Sequence, residues 1–315
     1  MRRNRVSRIE IKTPGQLSAM REAGLVVAQV LKTVAAAAGP GVSTGELDSI
    51  AARVISEAGA QPSFLGYHGY PACICTSVNE QIVHGIPDSR VVLADGDVLS
   101  IDAGAIVRGW HGDAAVTIPI GPVTDEAVSL IAACELALWR GISMAVIGAR
   151  LTDVSHAIER SASSSGPYGI VHEYTGHFIG SAMHMDPPVP NYGKPGRGPV
   201  LTAGMAMAIE PMLVLGDRHT RLLNDGWTVR TADGSLAAHF EHTVAVTAGG
   251  PRVLTAEDGG AAGFALLGEV DADRLAVAAM ADAAGADAAG LDVAGLDVAG
   301  ADVAGADQGS SAGRT

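Results

Sequence analysis

Five scattered residues of this chain carry side chains that could together bind divalent cations. Four are carboxylates and one is an imidazole: Asp102, Asp113, His177, Glu210 and Glu241. Four carboxylates gathered in one cleft would raise each other's pKa and would be costly to bury. Divalent cations remove that repulsion, and oxygen ligands with one imidazole suit a two-metal hydrolytic site, which activates water and polarises a carbonyl group.

The sequence around the first two carboxylates predicts a β-hairpin. Its turn falls near 108–109, and a turn centred between Val107 and Arg108 would place Asp102 directly opposite Asp113. Opposed residues have Cβ atoms about 4.5–5.5 Å apart, which suits carboxylates that bridge metal ions about 3.5–4 Å apart. Taken alone, the pair also fits turn-flanking aspartates, which is the commoner role of aspartate in a hairpin.

The other three candidate ligands lie in β-like runs. His177 stands between two glycines, where an imidazole ring could approach a metal, although a lone histidine is more often an ordinary polar or core residue. Glu210 and Glu241 adjoin apolar runs, so each must be paired, metal-bound or open to water at a strand end. His172-Glu173 with His177 is not the helical zinc-protease motif, because the second histidine falls one residue too late.

Helical signals alternate with short β-rich runs along the chain. Four helices are predicted from their opening residues and apolar spacing, and they begin at Thr13-Pro14, Ser43, Thr124 and Thr152. Strands are predicted near 72–78, 97–103, 113–118, 171–180, 205–214, 226–230 and 239–247. Two similar helix-helix-strand halves indicate an α+β sandwich built by duplication.

The order of the five candidate ligands and their flanking phrases resemble the methionine aminopeptidase family. The resemblance covers residues 10–256 and extends to further phrases at Pro40–Leu47, Gly66–Pro71, Val78–Glu80, His84–Pro87 and Asp225–Val229. It implies a pseudo-twofold, duplicated "pita-bread" fold of the α+β class, with a central antiparallel sheet and helices outside. The short interval between Glu210 and Glu241 resembles type I, because type II carries a long insertion there.

The resemblance also implies a role for each site residue. Two divalent ions (cobalt, manganese, iron or zinc) would be held by Asp102, Asp113, His177, Glu210 and Glu241, with Asp113 and Glu241 bridging. Glu210 would carry a proton from water to the leaving amine. His184 would stabilise the tetrahedral intermediate, and His84 would contact the nitrogen side of the cleaved bond. The implied methionine pocket comprises Phe64, Tyr67, Tyr70, Cys75 and Trp227, which without the family would be taken for core residues.

Four residues depart from the family's usual pattern. Phe178 replaces a glycine, which predicts a more crowded strand on the metal side. Met183 replaces an aromatic pocket residue, Met185 a glutamate, and His239 a glutamine. None of them removes a metal ligand, so they bear on pocket shape and substrate preference rather than on hydrolysis.

Charge and composition divide the chain into three parts. The net charge is −13, but residues 257–315 hold eleven acidic residues and two arginines, a net −9 that leaves −4 for the rest. We therefore expect a flexible basic arm at 1–9, a catalytic domain at 10–256 and an acidic tail at 257–315. From Asp282 the tail repeats every five residues; a pentapeptide β-solenoid is one interpretation, but such small, glycine-rich repeats favour disorder.

The same features predict where the protein works and with what. A basic stripe is missing, which argues against direct nucleic-acid binding. The sequence has no apolar span or secretory signal, and its three cysteines fit a reducing compartment. We expect a cytoplasmic monomer. The resemblance implies that it acts near the ribosome on the N-termini of nascent polypeptides, removing the initiator methionine before a small second residue.

Two alternatives remain open from the sequence. An X-Pro dipeptidase shares the fold and the metal ligands, although it usually carries an extra N-terminal domain. A non-catalytic binding protein on the same fold is the other, but such relatives have lost metal ligands that are all present here.

Overall fold

The computed structural model describes residues 9–269, so the rest of the predicted arm and the pentapeptide repeats lie outside the described residues. The helices are α1 Pro14–Ala37, α2 Thr44–Glu57, α3 Asp125–Ser143, α4 Leu151–Ser165 and α5 at 261–269, with a single 3-10 turn at Tyr67–Gly69. Among these residues, no helix combines the length and apolar character that crossing a membrane requires.

The strands are short apart from one long hairpin. In chain order they are β1 Gln61–Pro62, β2 Ile74–Val78, β3 Gln81–Val83, β4 Val98–Val107, β5 Trp110–Pro119, β6 Gly169–Ile170, β7 Gly176–Phe178, β8 Met185–Val189, β9 Ala206–Ile209, β10 Met212–Val214, β11 Thr220–Leu222, β12 Val229–Thr231, β13 Ala237–His239, β14 Glu241–Thr247 and β15 Gly250–Val253.

A central antiparallel sheet joins the two halves of the fold. Its strand order is β1-β4-β5-β14-β9-β7-β8, with β2 beside β4 and β15 beside β14. Helices α1 and α2 cover the first half through a cluster that includes Val27, Leu47 and Ile101. Helices α3 and α4 cover the second half in the same way, through Leu138 and Ile158. The predicted α+β class, with helices outside an antiparallel sheet, is confirmed.

The predicted helix starts agree closely with the structure, with one exception. The Thr13 and Ser43 side chains each cap a helix as expected, and each forms a capping box with the residue three positions later. The predicted start at Thr152 is wrong, because α4 begins one residue earlier with Arg150 as its N-cap. The Arg150 amide donates to the Asp153 carboxylate at 2.7 Å.

The packed structure continues past residue 257, where the sequence predicted the tail to begin. The Asp258 carboxylate accepts hydrogen bonds from the amides of Gly260 and Ala262 and so caps α5. On α5, Phe264 packs edge-on against Trp139 with ring centroids 5.6 Å apart, and Leu267 is only 8% exposed. These large apolar side chains give α5 a face that packs on the domain.

Candidate metal centre

Strands β4 and β5 form the predicted hairpin, but with a different register. The turn residues 108–109 both have positive φ, and the strands pair Gly104, not Asp102, with Asp113. The prediction that Asp102 lies directly opposite Asp113 is therefore wrong, because the turn is centred one residue further along the chain. The two aspartates are diagonal neighbours, and since side chains alternate along a strand they still project from the same face.

All five candidate ligands line one cleft between the halves of the sheet. Ligand atoms of Asp113, His177 and Glu241 lie within 4.8 Å of one another. The His177 Nε2 atom is 3.6 Å from Oε1 of Glu210. The structure thus brings the five residues together, although they come from four different strands and one strand break.

Local structure explains how three of these side chains are presented. Glu210 stands where the predicted strand 205–214 is broken before Pro211, which has no amide hydrogen to pair. The Asn191 side chain donates to the Glu210 carbonyl oxygen at 2.9 Å. His177 on β7 has Nδ1 3.1 Å from the carbonyl oxygen of Phe178. An Nδ1–H in that position leaves the Nε2 lone pair free for a cation.

Burial controls the ionisation of the cleft. It raises the pKa of Asp102 to about 7, and it raises the pKa of Glu210 well above its usual value. Burial and then the neighbouring carboxylates raise the pKa values of Asp113 and Glu241. Burial lowers the pKa of His177 to about 3. The imidazole is therefore neutral, as a metal ligand must be.

The donor set fits divalent metal ions. Among the described residues, one buried carboxylate oxygen of each of three acids has no hydrogen-bond partner: Asp102 Oδ1, Asp113 Oδ1 and Glu241 Oε1. A buried acceptor without a partner costs about 1–3 kcal/mol, and more when it is charged. Cations coordinated by these oxygens would remove that cost, and carboxylates with imidazole are ordinary ligands of first-row divalent metals.

An apolar pocket adjoins the acidic cleft. Its buried members are Phe64, Tyr70, Ala72, Cys75 and Met183, with Tyr67, Ile86 and Trp227 packed against them. The Tyr70 hydroxyl lies 3.1 Å from the carbonyl oxygens of Ile74 and Gly85, which fixes the ring against the wall. The predicted pocket residues therefore do lie together, and Met183 joins them.

The two predicted substrate histidines also line this cleft. His184 has Nδ1 2.8 Å from the Tyr67 hydroxyl oxygen, and its ring is 4.3 Å from that of His177. His84 has a left-handed backbone, with φ 60°, and its ring meets Trp227 edge-on. Burial lowers the pKa values of both histidines, that of His84 to about 4. His84 is half-buried, whereas His184 is exposed in its loop but contacts Tyr67 and His177.

The departures from the family pattern have different outcomes. The crowding predicted for Phe178 is wrong, because strand alternation turns its side chain away from His177 and into the apolar cluster beneath α3 and α4. Met185 packs at the edge of that cluster. His239 is fully buried, with Nε2 3.6 Å from a Glu210 oxygen. From the sequence, His239 was recognised only as a departure from the family pattern. The hydrogen bond from Asn191 to the Glu210 carbonyl oxygen was not predicted.

Comparisons with known proteins agree with this geometry. Residues 18–248 match the profile of metallopeptidase family M24. Methionine aminopeptidase 1 of Mycobacterium tuberculosis is 56% identical over 249 residues, which cover 78% of this chain and 94% of that protein. Methionine aminopeptidase 1 of Bacillus subtilis is 48% identical over 244 residues, covering 78% and 98%.

Solved structures give the same result. The crystal structure of methionine aminopeptidase from Thermotoga maritima superposes with a TM-score of 0.78 at 41% identity, covering 79% of this chain and 100% of that one. Prolidase from Pyrococcus furiosus superposes with a TM-score of 0.63 at 19% identity, covering 78% of this chain and 65% of that one. At that identity the second similarity establishes the fold alone.

Proposed function

Because the chain belongs to the methionine aminopeptidases of metallopeptidase family M24, we propose that it removes the initiator methionine from newly made polypeptides. It is a metal-dependent aminopeptidase. The observation that carries the proposal is the position of an apolar, sulfur-lined pocket directly beside the cleft that holds the five candidate ligands. The proposed substrates carry a small second residue, as the family resemblance implies.

Two divalent ions are the proposed cofactor. Their ligands are Asp102, Asp113, His177, Glu210 and Glu241. Cobalt, manganese, iron and zinc all accept this donor set. When bound, the ions lower the pKa of water and polarise the carbonyl group of the substrate.

Glu210 is the proposed proton carrier. Its carboxylate is buried and faces His177 on one side and His239 on the other. Burial raises its pKa, so it can accept a proton from the attacking water and release it to the amine of the departing peptide. The Asn191 contact to its carbonyl oxygen holds the strand break that aims it.

His184 and His84 position the scissile bond in this proposal. The Tyr67 hydroxyl can donate to Nδ1 of His184, which leaves the histidine proton on Nε2. The Nε2–H group can then donate a hydrogen bond to the peptide carbonyl oxygen, where negative charge develops. His84, which lies beside Trp227, contacts the nitrogen side of the bond.

The pocket supplies the preference for methionine. An unbranched thioether side chain is flexible and polarisable, and it packs well against aromatic rings and sulfur. Phe64, Tyr70 and Trp227 supply the rings, and Cys75 and Met183 supply the sulfur. Burial raises the pKa of Cys75 well above its usual value, so the thiol stays neutral and acts as a small apolar wall.

The cellular setting follows from this activity. We propose a cytoplasmic monomer that acts on nascent chains near the ribosome without direct nucleic-acid contact. We also propose that the acidic tail takes no part in catalysis, although its first residues, as far as α5, pack on the catalytic domain through Phe264 and Leu267.

Release of methionine from a Met-Gly-x peptide tests the proposal. The purified protein is assayed with added divalent metal and then with chelator, beside an X-Pro dipeptide. We expect methionine release that depends on metal. The release should be lost in Glu210→Ala and kept in Glu57→Ala, a control substitution on the surface. Cleavage of the X-Pro dipeptide alone identifies a dipeptidase, and a folded protein that cleaves neither substrate with any metal is a binding protein.

A further inference from the structure

His239 occupies a buried position between two acids of the proposed metal centre. It is 1% exposed, and its Nε2 lies 3.6 Å from Oε2 of Glu210 and 4.0 Å from Oε2 of Glu241. Both distances exceed a normal hydrogen bond. Among the described residues, neither ring nitrogen has a hydrogen-bond partner. A fully buried imidazole with two unpaired nitrogens is costly, and a ligand between it and the carboxylates would satisfy Nε2.

The backbone holds this side chain toward the cleft. The His239 amide donates to Oγ1 of Thr117 at 2.8 Å, and that hydroxyl donates to the His239 carbonyl oxygen at 2.7 Å. The preceding residue, Ala238, packs into the apolar cluster on the helix side. Strand alternation then sends His239 to the opposite face, where the carboxylates lie.

The potential ligand atoms form two sets that share one residue. One set is Asp113, His177 and Glu241, and the other is Glu210, His239 and Glu241; within each set the atoms lie within 4.8 Å of one another. Each set contains one imidazole, and Glu241 belongs to both, as a carboxylate bridging two adjacent ions would. Ligand atoms about 2.0–2.2 Å from a common ion are themselves about 3–3.6 Å apart, so only a small adjustment is required.

We propose that Nε2 of His239 is a direct ligand of the divalent cation held by Glu210 and Glu241, which gives the centre a sixth protein ligand and a second imidazole. The inference rests on the proposed two-metal function. A second nitrogen ligand raises affinity for cobalt and zinc more than for manganese, because imidazole suits the later metals and oxygen suits manganese. The substitution of His239 for glutamine therefore changes metal preference as well as shape.

Histidine N–H signals of the cobalt-loaded protein test this directly. A cobalt-bound histidine shows its other ring N–H as a strongly shifted, exchangeable proton resonance. We expect two such signals in the wild-type protein and one in His239→Gln. Calorimetric titration of the metal-free proteins should show cobalt affinity at one site falling at least about tenfold in the variant, with manganese affinity changing much less.

His242→Asn is the matched control. His242 is half-buried in the same region, but its Nδ1 is 2.8 Å from Oγ1 of Thr255 and its ring packs on Trp139, away from the cleft. It should keep both signals and both affinities. If the Gln variant does not fold, 15N-histidine labelling of the wild-type protein still counts the ligated imidazoles.

The outcomes separate the inference from the function on which it rests. One shifted signal in the wild-type protein, with cobalt affinity unchanged in His239→Gln, overturns the inference and leaves His239 as a neighbour of Glu210 only. Failure of the wild-type protein to bind any divalent ion instead overturns the proposed metal-dependent function.

Discussion

The hydroxyl group of Tyr67 lies 2.8 Å from Nδ1 of His184 and so joins the apolar pocket to the proposed peptide-binding histidine. Burial raises the pKa of Tyr67 and lowers the pKa of His184. At neutral pH the phenol therefore keeps its proton, and the neutral imidazole accepts that hydrogen bond. The remaining histidine proton must then lie on Nε2.

We expect Tyr67→Phe to lower kcat/KM for a Met-Gly-x peptide about fivefold. The change removes one neutral hydrogen bond, worth about 1 kcal/mol, and keeps the ring that packs in the pocket. The measurement is steady-state methionine release. Tyr192→Phe is the control, because Tyr192 stacks on His172 and does not line the cleft. In a His184→Ala background the Tyr67 substitution should have no further effect, and an undiminished effect there would contradict the assigned contact.

Met183 should contribute to the recognition of methionine. It is buried with Phe64 and Cys75 in the pocket wall, and truncation to alanine removes packing worth about 1–2 kcal/mol. We expect Met183→Ala to lower kcat/KM for methionine substrates about 5- to 30-fold. Met183→Phe, which restores the usual aromatic residue, should retain methionine release. Met144→Ala, a change at an exposed methionine, is the control. Equal kinetics for all three variants would show that Met183 does not shape the pocket.

Two truncations should distinguish the contribution of α5 from that of the repeats that follow it. A protein ending at residue 269 should keep the activity and the Tm of the full chain. A protein ending at Glu257 loses Phe264 and Leu267 and uncovers Trp139. Burial of each large apolar side chain contributes about 1.5–3 kcal/mol, so the Tm should fall by at least about 5 °C.

Thermal denaturation with methionine-release assays measures both truncations. An unchanged Tm after truncation at Glu257 would show that α5 contributes nothing to stability. Loss of activity after truncation at residue 269 would assign the tail a part in function.

Metal binding should change how stability depends on pH. Burial raises the pKa of Asp102 from an ordinary value near 4 to about 7, and it raises those of Asp113, Glu210 and Glu241 as well. A raised folded-state pKa means that these groups stabilise the metal-free protein below about pH 4 and lose that contribution as pH rises toward 7. The Tm of the metal-free protein should therefore fall across this window.

Added divalent cation should reverse this trend. Ionised carboxylates bind the cation, so the increase in Tm on adding metal should grow as pH rises from about 5 to 8. Differential scanning calorimetry with and without chelator measures it. Asp102→Asn, which removes one titrating group, should flatten the metal-free profile. If the increase in Tm on adding metal did not depend on pH, these carboxylates would not be the metal ligands.

Short-range signals were sufficient for much of the architecture. The Thr13 and Ser43 capping boxes were readable because a cap and its partner are only three residues apart. The apolar spacing of the helices and the short phrases around each candidate ligand were also local signals. The order of those ligands along the chain produced the family resemblance that predicted the fold. Each side chain's type specified its possible chemistry, since carboxylates and an imidazole bind cations wherever they meet.

Long-range packing decided what those signals left open. The sequence predicted the turn near 108–109, but only the paired strands showed that Gly104, and not Asp102, lies opposite Asp113. Strand alternation and sheet order turned Phe178 into the core and His239 toward Glu210. A one-residue shift reverses the face on which every side chain of a strand lies. Local propensity could not choose between the two faces, because the apolar clusters and the cleft that distinguish them come from segments far apart in the chain.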